Sequence, residues 1–317
     1  MGIINIETLK FEQLSKENIE AVYQMCEANV LFISRSFQVF ERHTLGSDSF
    51  DPELSIVAKD DNNAVAAFFM AVLRRSNIPK TNRKVAVLKF FVVEKNWRNI
   101  GLGTKLFNII LERIKTLKKK NWKMNFQVHQ SQPDYWTPGL DPRHTEAYFF
   151  LKKHGFKKGN ERVNLWIDLE NIFDKQPPSE FKGYKLERAK MEDKDEVVPL
   201  KFMPITYRLG FWPDETELTF RNDPITTFIA RDSNNKVVGW ASHSMLFPGN
   251  FGPTGVKPSE RGKGLGSVLL DWCLWDMKQM GVNRATIMWV VGNTVYFYLK
   301  SRGAHICEFY WPMKRKV

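Results

Sequence analysis

The sequence is poor in cysteine, poor in acidic residues relative to basic ones, and without any long apolar run. Three cysteines (Cys26, Cys273, Cys307) are scattered among 317 residues with no metal-like spacing. That pattern does not fit a disulfide framework and leads us to expect a reducing, cytoplasmic setting. The longest apolar runs, near residues 64–73 and 85–93, are strand-sized, so no membrane partner is expected. The N-terminal MGIINIETLKFEQ lacks the basic start and apolar stretch of a secretion signal. Ile6 stands where a myristoylation motif needs Ser or Thr. Asp and Glu number 35 against 47 Lys and Arg, a net charge of +12. The excess suits a polyanionic ligand. Because the basic residues are dispersed and no RNA-recognition string occurs, a phosphate-rich cofactor is expected rather than nucleic acid. The one dense run, Lys118-Lys119-Lys120, falls at an expected helix C-terminus, where cations offset the dipole.

Apolar residues make up 43% of the chain and aromatics 13%, enough for a proper core. One string occurs twice: RNIGLGTKL from Arg98 and RGKGLGSVL from Arg261. Val93 and Val256 precede the two copies at the same spacing, so Val, Arg, two Gly and two Leu repeat at one offset of 163 residues. The flanks repeat in kind. The first half reads as a helix (SKENIEAVYQMCEANVLF) and a hairpin turning at Asp61-Asn62-Asn63. A polar loop (RRSNIPKTNRK) follows, then a buried strand (KVAVLKFFVV). The motif comes next, with a helix (LFNIILERIKTLKKK), a strand (KMNFQVHQ) and a helix closed by Gly155. ENIFDKQPPSEF breaks the pattern as a linker. The second half has a strand (GYKLERA), a helix (EDKDEVVPLKFM), a hairpin turning at Asn234-Asn235 and a strand (FGPTGV). The second motif is followed by a helix (VLLDWCLWDMKQMG), a strand (RATIMWVV), a helix (NTVYFYLKSRG) and one closing strand (HICEFYWPM). The expected fold is α/β with mixed sheets, in two duplicated domains at residues 1–170 and 181–317, joined by a linker at 171–180.

A glycine-bearing turn between a buried strand and a helix presents helical N–H groups that have no intrahelical partner. The helix dipole adds positive charge, and the site suits phosphate. Arg98 and Arg261 stand where charge-assisted contacts would reinforce it. Neither copy has the Gly-x-x-x-x-Gly-Lys-Ser/Thr pattern of a nucleotide triphosphatase, and neither has all three glycines of a dinucleotide fingerprint.

With these residues in place, both halves resemble the GCN5-related N-acetyltransferase (GNAT) superfamily, whose loop is Arg/Gln-x-x-Gly-x-Gly/Ala. The matching positions are Arg98, Gly101 and Gly103, and Arg261, Gly264 and Gly266. The arrangement is similar to the bacterial tandem group that includes mycothiol-synthase-like proteins, as is the segment YWTPGLDPRHTEAYFF. The resemblance implies two tandem acyl-CoA N-acyltransferase domains with acetyl-CoA as cofactor. It implies that loop N–H groups of Asn99, Ile100, Gly101, Leu102, Gly103 and Thr104 cradle the pyrophosphate. In the second half the same role falls to Gly262, Lys263, Gly264, Leu265, Gly266 and Ser267. Backbone groups of Phe91 and Val93, or of Gly255 and Val256, would hold the pantetheine arm and acetyl carbonyl. An amine, on a small molecule or a peptide, would attack the thioester directly.

The family places a thiolate-protonating Tyr in the last helix, at Phe-Tyr-x-x-x-Gly-Phe. In FYLKSRGA, counting from the strand gives Tyr298, whereas counting back from Gly303 gives Leu299; Tyr298 is the expected catalytic residue. FFLKKHGF in the first half offers no phenol. We therefore expect the second half to do the chemistry and the first, with about 15 extra residues before its last helix, to lend a loop. The base stays open among Glu94, Asp141, His144, Asp214, Glu215 and water, with His243 reading as a core histidine. Trp136, Phe211, Trp212 and Trp240 suit an amine pocket or the core equally. A non-catalytic acyl-CoA sensor, or transfer of another acyl group, is the alternative. Either a monomer or a homodimer fits.

Overall fold

The computed structural model describes residues 5–30, 32, 34–75, 83–119, 123–170, 172 and 175–317. The tip of the expected loop RRSNIPKTNRK, Lys120, and residues 171, 173 and 174 of the expected linker lie outside them. The first half runs β1 (Lys10–Glu12), α1 (Ile19–Asn29), α2 (Phe37–His43), β2 (Ser55–Lys59), β3 (Val65–Arg75) and β4 (Arg83–Val93). It continues with α3 (Leu102–Leu117), β5 (Lys123–Val128), α4 (Thr145–Lys153), β6 (Lys157–Lys158) and β7 (Arg162–Asp168). The second half runs β8 (Glu180–Phe181), β9 (Tyr184–Arg188), α5 (Lys194–Val197), α6 (Ile205–Arg208), α7 (Trp212–Thr219), β10 (Thr227–Arg231), β11 (Val237–His243) and β12 (Asn250–Val256). It ends with α8 (Leu265–Gln279), β13 (Arg284–Val290), α9 (Thr294–Arg302), β14 (His305–Tyr310) and β15 (Met313–Lys316).

Local chemistry repeats along with topology. In the β2–β3 turn the Asp60 carboxylate accepts from the N–H groups of Asn62 and Ala64, both at 2.9 Å, and Asn63 takes φ 66°. In the β10–β11 turn Asp232 accepts from Asn234 at 2.9 Å and Lys236 at 3.0 Å, with Asn235 at φ 61°. Asn tolerates the left-handed region better than other residues with a Cβ, and a short acceptor side chain closes the turn. The expected helix EDKDEVVPLKFM is cut to the four residues of α5: Val198 keeps helical geometry, but Pro199 has no N–H to continue the ladder and its ring clashes with the preceding turn.

Sheet membership does not follow the halves. One sheet has the order β1-β2-β3-β4-β5-β15-β6 and the other β14-β7-β13-β12-β11-β10-β9-β8. Each half gives its last strand to the other: β15 pairs with β5 and β6, and β7 pairs with β13 and β14. A cut at the linker expected at 171–180 thus separates β7 and β15 from the sheets they join. HICEFYWPM, expected as one strand, ends at Tyr310, and the chain changes sheets at Trp311-Pro312. Proline removes a ladder donor, which suits a crossover point. Met313 is fully buried in the sheet it joins, as Leu165 of β7 is in the other.

Each sheet carries helices on both faces. In the first, α3 and α4 pack with Leu106, Phe107, Ile110 and Leu151 on one face, while α1 and α2 cover the other with Val22, Met25 and Phe40. The halves meet through Arg42 Nη2, which donates to the Met245 carbonyl at 2.5 Å, and Tyr135, edge-on to Trp289 at 5.0 Å. The Arg35 guanidinium lies 4.3 Å from Trp136 and 4.2 Å from Phe247.

Candidate active site

In both sheets two parallel central strands splay apart. β4 and β5 pair from Arg83↔Lys123 to Leu88↔Val128, after which β4 runs on to Val93 without β5. β12 and β13 pair only at Asn250↔Thr286 and Phe251↔Ile287. The chain turns away with His129 at φ 62° in the first half and Trp289 at φ 60° in the second. The Glu94 N–H donates to the Ala66 carbonyl, so by the antiparallel alternation Phe91 and Val93 turn their backbone groups into the first gap. Likewise Lys257 N–H to Val238 O turns Val256 and Thr254 into the second. Gly255 instead pairs with Trp240, which removes its backbone from the role expected for it. A Cβ there would lie 2.6 Å from the Trp240 ring.

The two loops are built alike. Gly101 and Gly264 precede α3 and α8 at φ 94° and 96°, in the region where a side chain is strained. Gly103 and Gly266 each face a ring of the last helix, Phe150 and Phe297, with 3.4 and 3.5 Å left for a Cβ. The N–H groups from Asn99 to Thr104, and from Gly262 to Gly266, have no acceptor among the described residues. Such a row of outward amides at a helix N-terminus fits a pyrophosphate. The Ser267 N–H, expected to join them, bonds instead to Gly264 O at 3.1 Å. Arg98 and Arg261 each brace a loop. Their Nε groups donate to the Val93 and Val256 carbonyls, both at 3.0 Å, which braces each loop against its strand. Arg98 also holds Glu146 at 3.1 Å and Asn29 at 3.0 Å.

The loops differ in what lies over them. A Cβ at Gly101 would meet nothing within 4 Å, whereas at Gly264 it would lie 3.3 Å from the Phe181 ring. Lys182 Nζ donates to the Lys263 carbonyl at 3.1 Å, and Lys263 Nζ is held by Glu260 at 2.7 Å. The first loop opens into a cavity of about 920 Å³ that reaches Gly101, Gly103, Phe91, His129, Trp136 and Tyr310. Phe91 and Val93 line it too.

Sequence reasoning passed over His129. Its Nδ1–H donates to the Lys89 carbonyl at 2.8 Å, which fixes the tautomer and leaves the Nε2 lone pair for the cavity. Burial holds its imidazolium down to about 4, so the ring is neutral near pH 7. The only signal for it was a histidine just past a buried strand. Lys89 is fully buried and bonded to Asp134 at 2.7 Å. Asp134 also pairs with His43, and His43 Nε2 meets the Leu246 carbonyl of the second half at 2.9 Å. Burial raises the Asp134 carboxyl, but His43 and Lys89 outweigh it and hold it low. Tyr310, from β14, was also missed, since its place depends on the strand exchange.

The base candidates read from sequence separate clearly. Glu94 caps a short turn through the Asn96 N–H at 2.7 Å, and Asp214 pairs with Arg75. Asp141 lines the cavity but is gripped by Arg143 at 2.6 and 3.0 Å. His144 lines it as well, and its Nε2 is buried without a partner among the described residues. Glu215 is buried, its carboxyl pushed up to about 8 by burial and by Asp214. His243 is a core histidine held by Asp276 at 2.9 Å. Tyr298 occupies the place of Leu151: Phe297 and Phe150 face the equivalent glycines, and Tyr298 and Leu151 follow them, both buried. Its ring meets Phe251 edge-on at 5.9 Å, and burial pushes its phenol well up.

The comparisons agree with this geometry. The profile of the acetyltransferase (GNAT) family matches residues 19–132 and 191–304, more than half of the chain, and the chain belongs to that family. No curated protein sequence matches it significantly. Among solved structures it is similar to the GCN5-related glucosamine N-acetyltransferase region of a fungal multi-domain GH3 β-N-acetylglucosaminidase, with TM-score 0.76 and 18% identity. That match covers 97% of this chain and 38% of the other, so the chain spans well under half of that protein. A GCN5-related N-acetyltransferase from Sphaerobacter thermophilus matches at TM-score 0.67 and 16% identity, covering 98% and 96% of the two chains. A tandem GNAT protein from the clavulanic acid biosynthesis pathway matches at TM-score 0.66 and 17% identity, covering 97% and 98%. The fold is two tandem GNAT units with mixed α/β sheets. Among the described residues no helix is long and apolar enough to cross a membrane.

Proposed function

We propose that the chain is an acetyl-CoA-dependent N-acetyltransferase acting on a primary amine, and that the reaction runs in the cavity of the first sheet. One observation carries this: the uncovered loop amides and the His129 imidazole share a single cavity, while the second loop lies under Phe181 and Lys182. Bound there, acetyl-CoA supplies a thioester carbonyl carbon that an amine attacks as the thiolate leaves. The amides from Asn99 to Thr104 bind the pyrophosphate, and Phe91 and Val93 offer backbone groups along the gap. His129 Nε2 takes the proton that the amine nitrogen loses as the C–N bond forms. An imidazolium held down to about 4 is a strong enough acid to return that proton to the thiolate. His129 thereby covers the step for which the first half has no phenol.

A second reading puts the chemistry in the second half, with Tyr298 as the acid; its register with Leu151 favours it. One set of variants separates the two. Release of free thiol from acetyl-CoA in the presence of amines, with acetyl-CoA binding by calorimetry, is measured for wild type, His129→Ala, Tyr298→Phe and Gly101→Asp. We expect His129→Ala to lower kcat about 100-fold, Gly101→Asp to abolish binding, and Tyr298→Phe to change kcat less than about twofold. The reverse ranking of His129 and Tyr298 moves the reaction to the second half. Binding without thiol release for any amine makes the protein an acyl-CoA sensor. Three free cysteines support a cytoplasmic setting, and the exchanged strands supply internally a pairing consistent with a monomer, or with a homodimer of such pairs.

A further inference from the structure

The identity of the amine can be argued further, on the reading that the first cavity is the site of transfer. That cavity crosses the sheet through the splay between β4 and β5. The loop, His129 and α4 lie at one end. At the other end lie Cys26, Phe40, Phe90, Val92 and Trp136, each no more than 8% exposed and all in one cluster under α1 and α2. The Trp136 ring stands edge-on to Phe90 at 5.2 Å and to Phe40 at 6.2 Å. Tyr310 of the second half completes this wall at 1% exposure, and its hydroxyl donates to Glu308 at 3.1 Å.

Most of the carboxylates on the lining are already engaged. Asp141 is held by Arg143, Glu146 by Arg98 at 3.1 Å, and Glu27 accepts from the Ser34 hydroxyl at 2.7 Å. Lys153 belongs to α4, at the loop end. A sugar would bring hydroxyls against the apolar side chains of this wall, and an amino acid would bring a carboxylate to a wall whose own side chains carry no cation, with Arg35 stacked on the Trp136 ring at 4.3 Å and not on the lining; both are costly to desolvate. An aromatic ring would find edges and faces of its own kind. Low polarity also favours the neutral amine, the form that attacks.

We infer that the acceptor is an arylalkylamine, a primary amine on a short chain bearing an aromatic ring and no carboxylate. The ring sits against Trp136, Phe40 and Tyr310, and the chain carries the nitrogen back toward His129.

The test uses the full chain with phenethylamine, glucosamine and phenylalanine as probes, each titrated by calorimetry, with acetyl-CoA and octanoyl-CoA titrated alongside. We expect phenethylamine to bind at least about tenfold more tightly than the other two. Trp136→Ala should weaken phenethylamine at least about tenfold and acetyl-CoA less than twofold, while Trp136→Phe, which keeps a ring, should stay within about threefold of wild type. Equal or tighter binding of glucosamine or phenylalanine overturns the inference. So does preference for octanoyl-CoA with no phenethylamine binding, because the apolar end is then an acyl pocket. Phenethylamine bound without any acetyl-CoA binding overturns the transferase reading and leaves the aromatic pocket standing. Acetyl-CoA bound without phenethylamine does the opposite.

Discussion

The two halves share a loop and differ at everything around it. Both brace an arginine on a strand carbonyl, both turn on a glycine near φ 95°, and both rest a phenylalanine on the second motif glycine. Past the last parallel pair, however, the first half places His129 and the second places Met288 and Trp289. In the last helix of each half the contrast inverts: Leu151 in the first half corresponds to Tyr298 in the second. Duplication kept the backbone device that any anionic ligand would use. The side chains around that device, buried ones included, diverged. A loop motif therefore locates a potential binding site in each half, and only the gap beside it tells what that site can do.

The largest expected effect attacks the idea that the halves are separable at all. Ending the chain after Pro312 removes β15 from between β5 and β6, with the fully buried Met313 and a ladder on each side. We expect a loss on the order of 5 kcal/mol, enough to unfold the first sheet of a marginally stable domain. Acetyl-CoA binding should disappear even though every loop residue remains. A truncated chain that melts cooperatively near the wild-type temperature and still binds would show the exchanged strand to be dispensable, and the halves to be independent after all.

A smaller effect sharpens the comparison inside the sheets. Val92 pairs with Phe68 in the first half where Gly255 pairs with Trp240 in the second. The larger ring occupies the volume the glycine leaves, and a Cβ at Gly255 would meet Trp240 at 2.6 Å and Met203 at 3.0 Å. Gly255→Val should cost about 2–3 kcal/mol by overpacking. Adding Trp240→Phe, the first half's solution, should recover about half of that, read as the coupling in a double-mutant cycle of denaturant unfolding. Strict additivity would mean that the two positions do not share space as described.

Much of this was legible in the sequence. Strand and helix patterns, both hairpin turns and both loops follow from periodicity, Asp/Asn turn chemistry and glycine spacing, all of which are local. The strand exchange was not legible. β7 and β15 carry ordinary strand patterns, and whether Arg162–Asp168 pairs with β5 or with β13 is decided by packing across more than a hundred residues. The site suffered most from that gap. Tyr310 reaches the first cavity only because the chain changes sheets at Pro312, and His129 looks like any strand-end histidine until the Lys89 carbonyl fixes its tautomer. Arg98 has a use that the motif does not show: a basic residue beside a phosphate-type loop reads as a ligand contact, and its Nε also braces the Val93 carbonyl.

An effect of the same order probes the residue on which the comparison turns. The ordinary value for a histidine is 6.5, and burial holds the His129 imidazolium down to about 4, a shift opposed by its bond to the Lys89 carbonyl and assisted by His144. The folded protein therefore binds this proton more weakly than the unfolded chain does. Its contribution to stability is complete above pH 6.5 and is lost as pH falls from 6.5 toward 4, by at most about 3 kcal/mol. Burial also lowers His43, His144, His154 and His243, so the whole protein loses stability over the same acid range. His129→Asn isolates one share of that slope. The difference in unfolding free energy between wild type and variant should shrink by about 2–3 kcal/mol between pH 7 and pH 4. A pH-independent difference would mean that His129 titrates like an exposed histidine, and a ring so exposed would neither stay neutral by burial nor return its proton to a thiolate as the mechanism requires.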